Sequence, residues 1–419
     1  MIEQIYEKFL NTSGICTDSR AIRQNSMFVC LKGANFDGNA FAGEALEKGA
    51  AYVITENSSI AGNERAIVVN DSLATLQHLA HLHREKMCIP VVGITGTNGK
   101  TTTKELINAV LSTTYKTCCT KGNLNNHIGV PLTLLSISKD DEIAIVEMGA
   151  NHVGEIADLC RIADPDAGLI TNIGVAHIEG FGSKENIVKT KKALYQHVMK
   201  SDGTLFVNKS DSLLCEGLSY EKVVFYGEDS GTRIVSMDTC LTIRLWDRTV
   251  KTNLTGSYNI VNFLAAAAVG EFFNVRRELV CKALSEYTPS NHRSQVSVVG
   301  TNTVISDYYN ANLTSMTAAL ENLALLKGGR KAAVLGDMLE LGSLSGQAHT
   351  EVVAMTEKMG IEAYFVGAEF SKVANKNVFS NVEAANEYFT EHPFNDALVL
   401  VKGSNGIHLN RLTAVLGNE

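Results

Sequence analysis

The chain has 419 residues, of which 45% are hydrophobic and 20% charged, and a formal charge of −8. The length exceeds what one ordinary core serves and predicts two or three domains, while the composition excludes disordered and fibrous classes. The acidic balance excludes a general nucleic-acid or membrane-surface role, because phosphate backbones and anionic lipids call for basic patches, so any anion site must be local.

Residues 1–84 form a first unit. The run Met1–Lys8 shows no basic stretch followed by an apolar one, and no apolar run in the chain approaches bilayer length, so a cytoplasmic location is expected. The nine cysteines are scattered without a Cys-x-x-Cys pair and are expected to be reduced thiols. Short β-type runs, Met27–Leu31 and Ala51–Ile54, alternate with glycine-rich turns. Leu73, Leu76, Leu79, Ala80 and Leu82 then recur at helical spacing before Pro90, predicting a connecting helix.

Residues 85–295 alternate apolar runs with amphipathic stretches: Pro90–Thr95, Lys104–Leu111, Ile143–Val146, Glu155–Ile162 and Gly168–Asn172. Strand-helix-strand order predicts a mostly parallel sheet, with ligands beyond the carboxyl ends of its strands. Residues 296–419 repeat the alternation with Val304–Ser306, a helix over 314–326, Ala332–Leu335, a helix over 346–358 and Ala397–Lys402. The expected fold class is α/β in three domains.

The most informative segment follows the first central strand: Gly96-Thr97-Asn98-Gly99-Lys100-Thr101-Thr102. Two glycines let the backbone curl so that its N–H groups converge on a phosphate, Lys100 supplies a mobile charge, and Thr101 offers a hydroxyl to Mg²⁺. Strict Walker spacing would place a glycine at 94, where the chain has Ile94, so this is a variant loop beginning at Gly96. A nucleotide, held by its polyphosphate, is the expected ligand. Glu147 ends the run Ile143–Val146, His177 lies just past Gly168–Asn172, and both are expected at the phosphate crevice. With Thr101, Glu147 supplies the hard oxygens that Mg²⁺ prefers. His177 taken alone is as consistent with a structural role. Lys189, Lys191 and Lys192 pattern as a solvated helix face, and Asn259 and Asn262 at the start of an alanine-rich helix can cap it or read a purine edge.

These segments together resemble the Mur ligases, ATP-dependent amide-forming enzymes of peptidoglycan precursor synthesis. The resemblance is carried by Thr17–Arg20, Phe36–Gly38, Gly96–Thr102, Gly122–Pro131, Glu147–Ala150, His177–Ser183, Tyr309–Asn312, Gly336–Gly342 and Lys402–Ser404. Within the family the chain is most similar to members that join D-alanyl-D-alanine to UDP-N-acetylmuramoyl-tripeptide. The resemblance implies an N-terminal α/β domain that grips the uridine diphosphate end, a central P-loop ATPase and a C-terminal Rossmann-like domain. It implies that Asp18, Ser19 and Arg20 face the uridine and Asn125 and Asn126 the muramoyl group, with Asn310 and Asn312 also on the substrate side. It further implies that Asn259, Asn262, Arg293 and Asp307 meet ATP, and that Thr101, Glu147 and His177 bind Mg²⁺, of which two ions are expected. Lys191 falls on a lysine carried as a carbamate, so Lys100, Lys191 and His177 are the expected catalytic residues. The chain departs from the family at Tyr258, Ala193, Ser306, Leu313 and Asn405. A monomer without nucleic-acid or membrane partners is expected. The alternatives are a relative that adds one amino acid to the dipeptide precursor, or a non-catalytic nucleotide-binding scaffold. Joint retention of Lys100, Thr101, Glu147 and His177 argues against the scaffold.

Overall fold

Val91–Thr95 is buried along its whole length, as a strand covered by helices on both faces must be. In the computed structural model, which describes residues 1–34, 36–174 and 178–417, this strand lies inside a six-stranded parallel sheet. The strand order is Val223–Tyr226, Thr204–Asn208, Ala167–Ile170, Val91–Thr95, Ile143–Glu147, Thr117–Cys119. From Val91–Thr95 the chain runs to one edge, returns alongside at Ile143–Glu147, and then crosses to the other side at Ala167–Ile170. That reversal opens a crevice at the carboxyl ends, where the sheet geometry favours ligands.

The first unit is a small parallel sheet of Ile15–Cys16, Met27–Val29, Tyr52–Thr55 and Ala66–Val68. The connecting helix is Ser72–Met87, started by the Asp71 carboxylate accepting from Ala74 N at 2.8 Å, and its last turn lies beyond residue 84. It packs on the helices Gly129–Leu134 and Glu155–Ala163 of the central unit. Ile5, Tyr6, Phe9 and Ile54 consequently share one apolar cluster with Val130, Leu134, Ile156 and Leu159. Polar bonds reinforce the seam. His83 bridges Tyr6 Oη (3.1 Å) and the Ile137 carbonyl (2.8 Å). Arg84 pairs with Asp166 at 2.6 Å, and the same Asp166 oxygen accepts from Val91 N at 2.7 Å.

An element that the sequence analysis did not identify follows the central sheet: an antiparallel meander of Thr232–Met237, Leu241–Leu245 and Arg248–Lys251. Leu241, Ile243 and Leu245 alternate inward and join the cluster around the helix Ile260–Phe272. The C-terminal unit is a six-stranded sheet in the order Gln295–Val299, Asn302–Asp307, Ala397–Lys402, Arg330–Gly336, Glu362–Val366, Val378–Phe379. Only its first pair is antiparallel. All nine cysteines are free thiols. Among the described residues no helix is long and apolar enough to cross a membrane.

Candidate active site

The phosphate loop needs both of its glycines. Gly96 sits at φ +148°, where an added Cβ would lie 1.9 Å from Thr171 Oγ1. Gly99 sits at φ +80°, and its Cβ would lie 2.9 Å from Asn262 Oδ1. The neighbouring strand end pins the loop: Asn98 N donates to Asn172 Oδ1 (3.1 Å), and Thr171 Oγ1 donates to the Asn98 carbonyl (2.6 Å). The helix Lys100–Leu111 starts directly after Gly99, so its free N–H groups and positive dipole end face the crevice. Lys100 Nζ donates to the carbonyls of Gly96 (2.8 Å) and Thr97 (3.1 Å). Burial lowers the Lys100 amine below its ordinary value; the Glu147 charge opposes this and the Arg293 charge adds to it.

Glu147, 1% exposed, ends its strand beside this helix. Its Oε1 accepts from Asn125 Nδ2 (2.8 Å) and Thr101 Oγ1 (3.2 Å), whereas its buried Oε2 has no hydrogen-bond partner among the described residues. A buried carboxylate oxygen left over beside a hydroxyl is the donor set expected of a hard divalent cation, so Thr101 and Glu147 fit Mg²⁺. Among the described residues there is no group of three or more His, Cys, Asp and Glu suited to a metal, and Mg²⁺ at a phosphate site needs only one or two protein carboxylates. His177 lies outside the described residues.

Lys191 corrects the reading of a solvated lysine face. It is 3% exposed on the helix Lys184–Lys200, with Nζ donating to the Gly96 carbonyl at 2.9 Å. Burial and the charge of Lys100 hold its amine well below the ordinary lysine value. Lys189 is exposed, and Lys192 reaches the Glu216 carbonyl instead.

Capping does not explain Asn259 and Asn262. Asn259 occupies the N-cap of the helix Ile260–Phe272 but makes no side-chain cap bond. Its Nδ2 donates to the Thr255 carbonyl (2.7 Å), and its Oδ1 accepts from Asn262 Nδ2 (2.8 Å). Asn262 Oδ1 in turn accepts from Thr103 Oγ1 (3.0 Å), tying this segment to the phosphate-loop helix. Tyr258 Oη pairs with Ser294 Oγ at 3.0 Å.

These residues meet in a cavity of about 1000 Å³ between the central and C-terminal units. The loop Thr97–Thr102, Asn125, Asn126, Glu147, Asn259 and Asn262 line it from one side, and Arg293, Asp307 and Asn310 from the other. Asn312 is not in the lining. Its Oδ1 caps the helix Leu313–Leu325, and its Nδ2 donates to Asn98 Oδ1 at 2.9 Å, joining the C-terminal unit to the phosphate loop. Asp18, Ser19 and Arg20 are not brought to this cavity either. They sit at the surface of the first unit, where hydrogen bonds from the exposed Arg20 lower the Asp18 carboxyl to about 2. Two residues with no role assigned from the sequence support Arg293 and Asp307: the Tyr309 ring lies under the Arg293 guanidinium at 3.9 Å, and Lys402, 2% exposed, pairs with Asp307 at 2.6 Å. A lysine ending the apolar run Ala397–Lys402 was the available signal for the second.

Three family descriptions match the chain: the Mur ligase family catalytic domain over residues 11–87, the Mur ligase middle domain over 94–270, and the Mur ligase glutamate ligase domain over 292–405. The UDP-N-acetylmuramoyl-tripeptide–D-alanyl-D-alanine ligase of Bacillus subtilis is 36% identical, over 95% of this chain and 92% of its own. The Escherichia coli protein of the same description is 32% identical, over 84% and 80%. Among solved structures, MurF from Acinetobacter baumannii superposes with a TM-score of 0.87 at 28% identity, covering 99% of this chain and 98% of that one. The MurF ligase of Thermotoga maritima in complex with ADP does so at 0.86 and 28%, covering 97% of each.

Proposed function

The chain belongs to the Mur ligase family, and from that premise we infer that it is an ATP-dependent ligase joining D-alanyl-D-alanine to UDP-N-acetylmuramoyl-tripeptide in peptidoglycan precursor synthesis. The near full-length match to relatives of that description carries the substrate assignment. The chemistry follows from the cavity. The γ-phosphoryl of ATP passes to the terminal carboxylate of the tripeptide, giving an acyl phosphate and ADP. The D-alanyl-D-alanine amine then attacks the acyl carbon, and the C–O bond to phosphate breaks as the amide forms. The first step brings two anions together, so positive charge is required where they meet. That the loop, Lys100 and Arg293 line one cavity supports this reading. Mg²⁺, held by Thr101 and Glu147 with His177 and a carbamylated Lys191 as the further ligands of a two-ion set, would neutralise phosphate charge. The low proton affinity of Lys191 supports the carbamate, since the neutral amine is the form that adds carbon dioxide. The second step needs positioning, and enclosing amine and acyl phosphate between the units can lower its barrier by about 7 to 11 kcal/mol at best.

In this reading Asp18, Ser19 and Arg20 hold the uridine diphosphate, Asn125 and Asn126 the muramoyl group, and Asn259, Asn262, Arg293 and Asp307 the nucleotide. Asn310 acts on the substrate side, and Asn312 joins the C-terminal unit to the phosphate loop. The functional units are 1–84, 85–295 and 296–419, working as a cytoplasmic monomer. Incubation with ATP, Mg²⁺, UDP-muramoyl-tripeptide and a panel of amines tests the assignment by phosphate release and product mass. Release dependent on D-alanyl-D-alanine is expected. Release only with a single amino acid on a dipeptide precursor would reassign the substrate, and no release with any amine would favour the scaffold.

A further inference from the structure

Arg293 stands in the linker between the helix Arg277–Glu286 and the strand Gln295–Val299, where the chain passes from the central to the C-terminal unit. The residues on either side of it are non-glycine residues in the left-handed region, His292 at φ +55° and Ser294 at φ +50°. Such conformations persist where surrounding contacts over-determine them. Those contacts are present. His292 stacks on Tyr308 with ring centroids 4.7 Å apart, and Ser294 N donates to Asp307 Oδ1 at 3.2 Å. Upstream, Asn253 Nδ2 donates to the Tyr287 carbonyl at 3.2 Å, and one carboxylate ties down two linker side chains: Glu105 accepts from Tyr287 Oη at 2.6 Å and from Asn291 Nδ2 at 2.9 Å. Burial first and the Glu105 charge second raise the Tyr287 phenol far above its ordinary value, so it remains the donor, while Arg293 pulls the other way from close by.

Glu105 belongs to the helix Lys100–Leu111, the same rigid element that carries Lys100 and Thr101. We propose that Glu105 is a positioning residue for Arg293, fixing the guanidinium against the nucleotide so that the phosphate grip and the linker arginine are set by one helix. The proposal rests on the reading of Arg293 as an ATP contact. The guanidinium packs on Tyr309 from the C-terminal unit, and its buried Nε has no hydrogen-bond partner among the described residues. Its direction is therefore set by stacking and by the backbone that Glu105 anchors.

The test is a double-mutant cycle in the full-length chain, read by calorimetric titration of ATP with Mg²⁺ and by KM and kcat, with melting temperature recorded alongside. Glu105→Ala is expected to weaken ATP binding about tenfold, and Glu105→Gln, which keeps one acceptor oxygen, only about two- to threefold. In an Arg293→Ala background, loss of the Glu105 carboxylate should change ATP affinity less than about twofold, because its effect runs through the missing guanidinium. Equal losses in both backgrounds, or a lowered melting temperature with unchanged ATP affinity, overturn the proposal. Unchanged ATP affinity in Arg293→Ala alone removes the underlying reading of Arg293 and the proposal with it. Should Glu105→Ala fail to fold, Tyr287→Phe combined with Asn291→Ala carries the same cycle.

Discussion

Lys191 places an amine at 3% exposure, 2.9 Å from the Gly96 carbonyl and close enough to Lys100 for a charge on it to be repelled. Charged amines are not kept in such a place without a partner, and nearby lysine charge makes the neutral amine the favoured form. Replacing Lys191 by alanine is therefore expected to cut turnover by about 100-fold, the scale of losing one preorganised charge contact. Short-chain carboxylates added to the variant should restore part of the rate, read as phosphate release. Full activity in the variant would remove Lys191 from the mechanism. The residue scale is also where sequence and structure part most clearly. Glu147 was legible, because an acid that ends a wholly apolar strand has few places to point. Lys191 was not, because its helix interleaves exposed and buried lysines and only family likeness singled it out. Of the two options open for Asn259, capping is not the one realised, since its amide is engaged by the Thr255 carbonyl and the Asn262 side chain and by no helix N–H.

At the scale of elements, the helix Ser72–Met87 does the joining, and His83 is its polar rivet. With Nε2 donating to the Ile137 carbonyl, Nδ1 accepts from Tyr6 Oη, which is the neutral ring. Burial holds its pKa below the ordinary 6.5, opposed by the bond to Ile137. Between that lowered value and 6.5 the unfolded chain binds a proton that the folded chain does not, so this contribution is complete above pH 6.5 and falls as pH drops toward the folded value. Melting curves between pH 7.5 and 5.5 should show the wild type losing more stability than His83→Gln. Parallel curves would show that the ring is not the titrating group. The helix itself was readable from its leucine spacing, as were most central and C-terminal strands from their apolar runs. The meander over Thr232–Lys251 was overlooked although Leu241, Ile243 and Leu245 alternate as a half-buried strand should. Its outward positions are mostly polar, so no continuous apolar run announces the strands.

For the whole molecule, the three-unit order was visible in the sequence, but the contacts between units were not. Asn98 and Asn312 are separated by 214 positions, and nothing local marks them as partners. The cores predict how the units come apart. The first and central units share a large apolar cluster, beside a small one confined to the first, whereas the clusters on the two faces of the C-terminal sheet are, apart from Met237 of the meander, its own. Scanning calorimetry is expected to show the first two units melting together and the C-terminal unit separately, with ATP raising both transitions. A separate early transition for residues 1–84 would contradict the shared core. The shared core fixes the first unit against the central one. With the diphosphate end held at Asp18–Arg20 as proposed, the span to Lys100 cannot stretch, and the enzyme becomes a ruler. A precursor one amino acid shorter would present its carboxylate about 3.5 Å short of the transferable phosphoryl group, so chain length would be checked by distance alone, before any side chain is inspected.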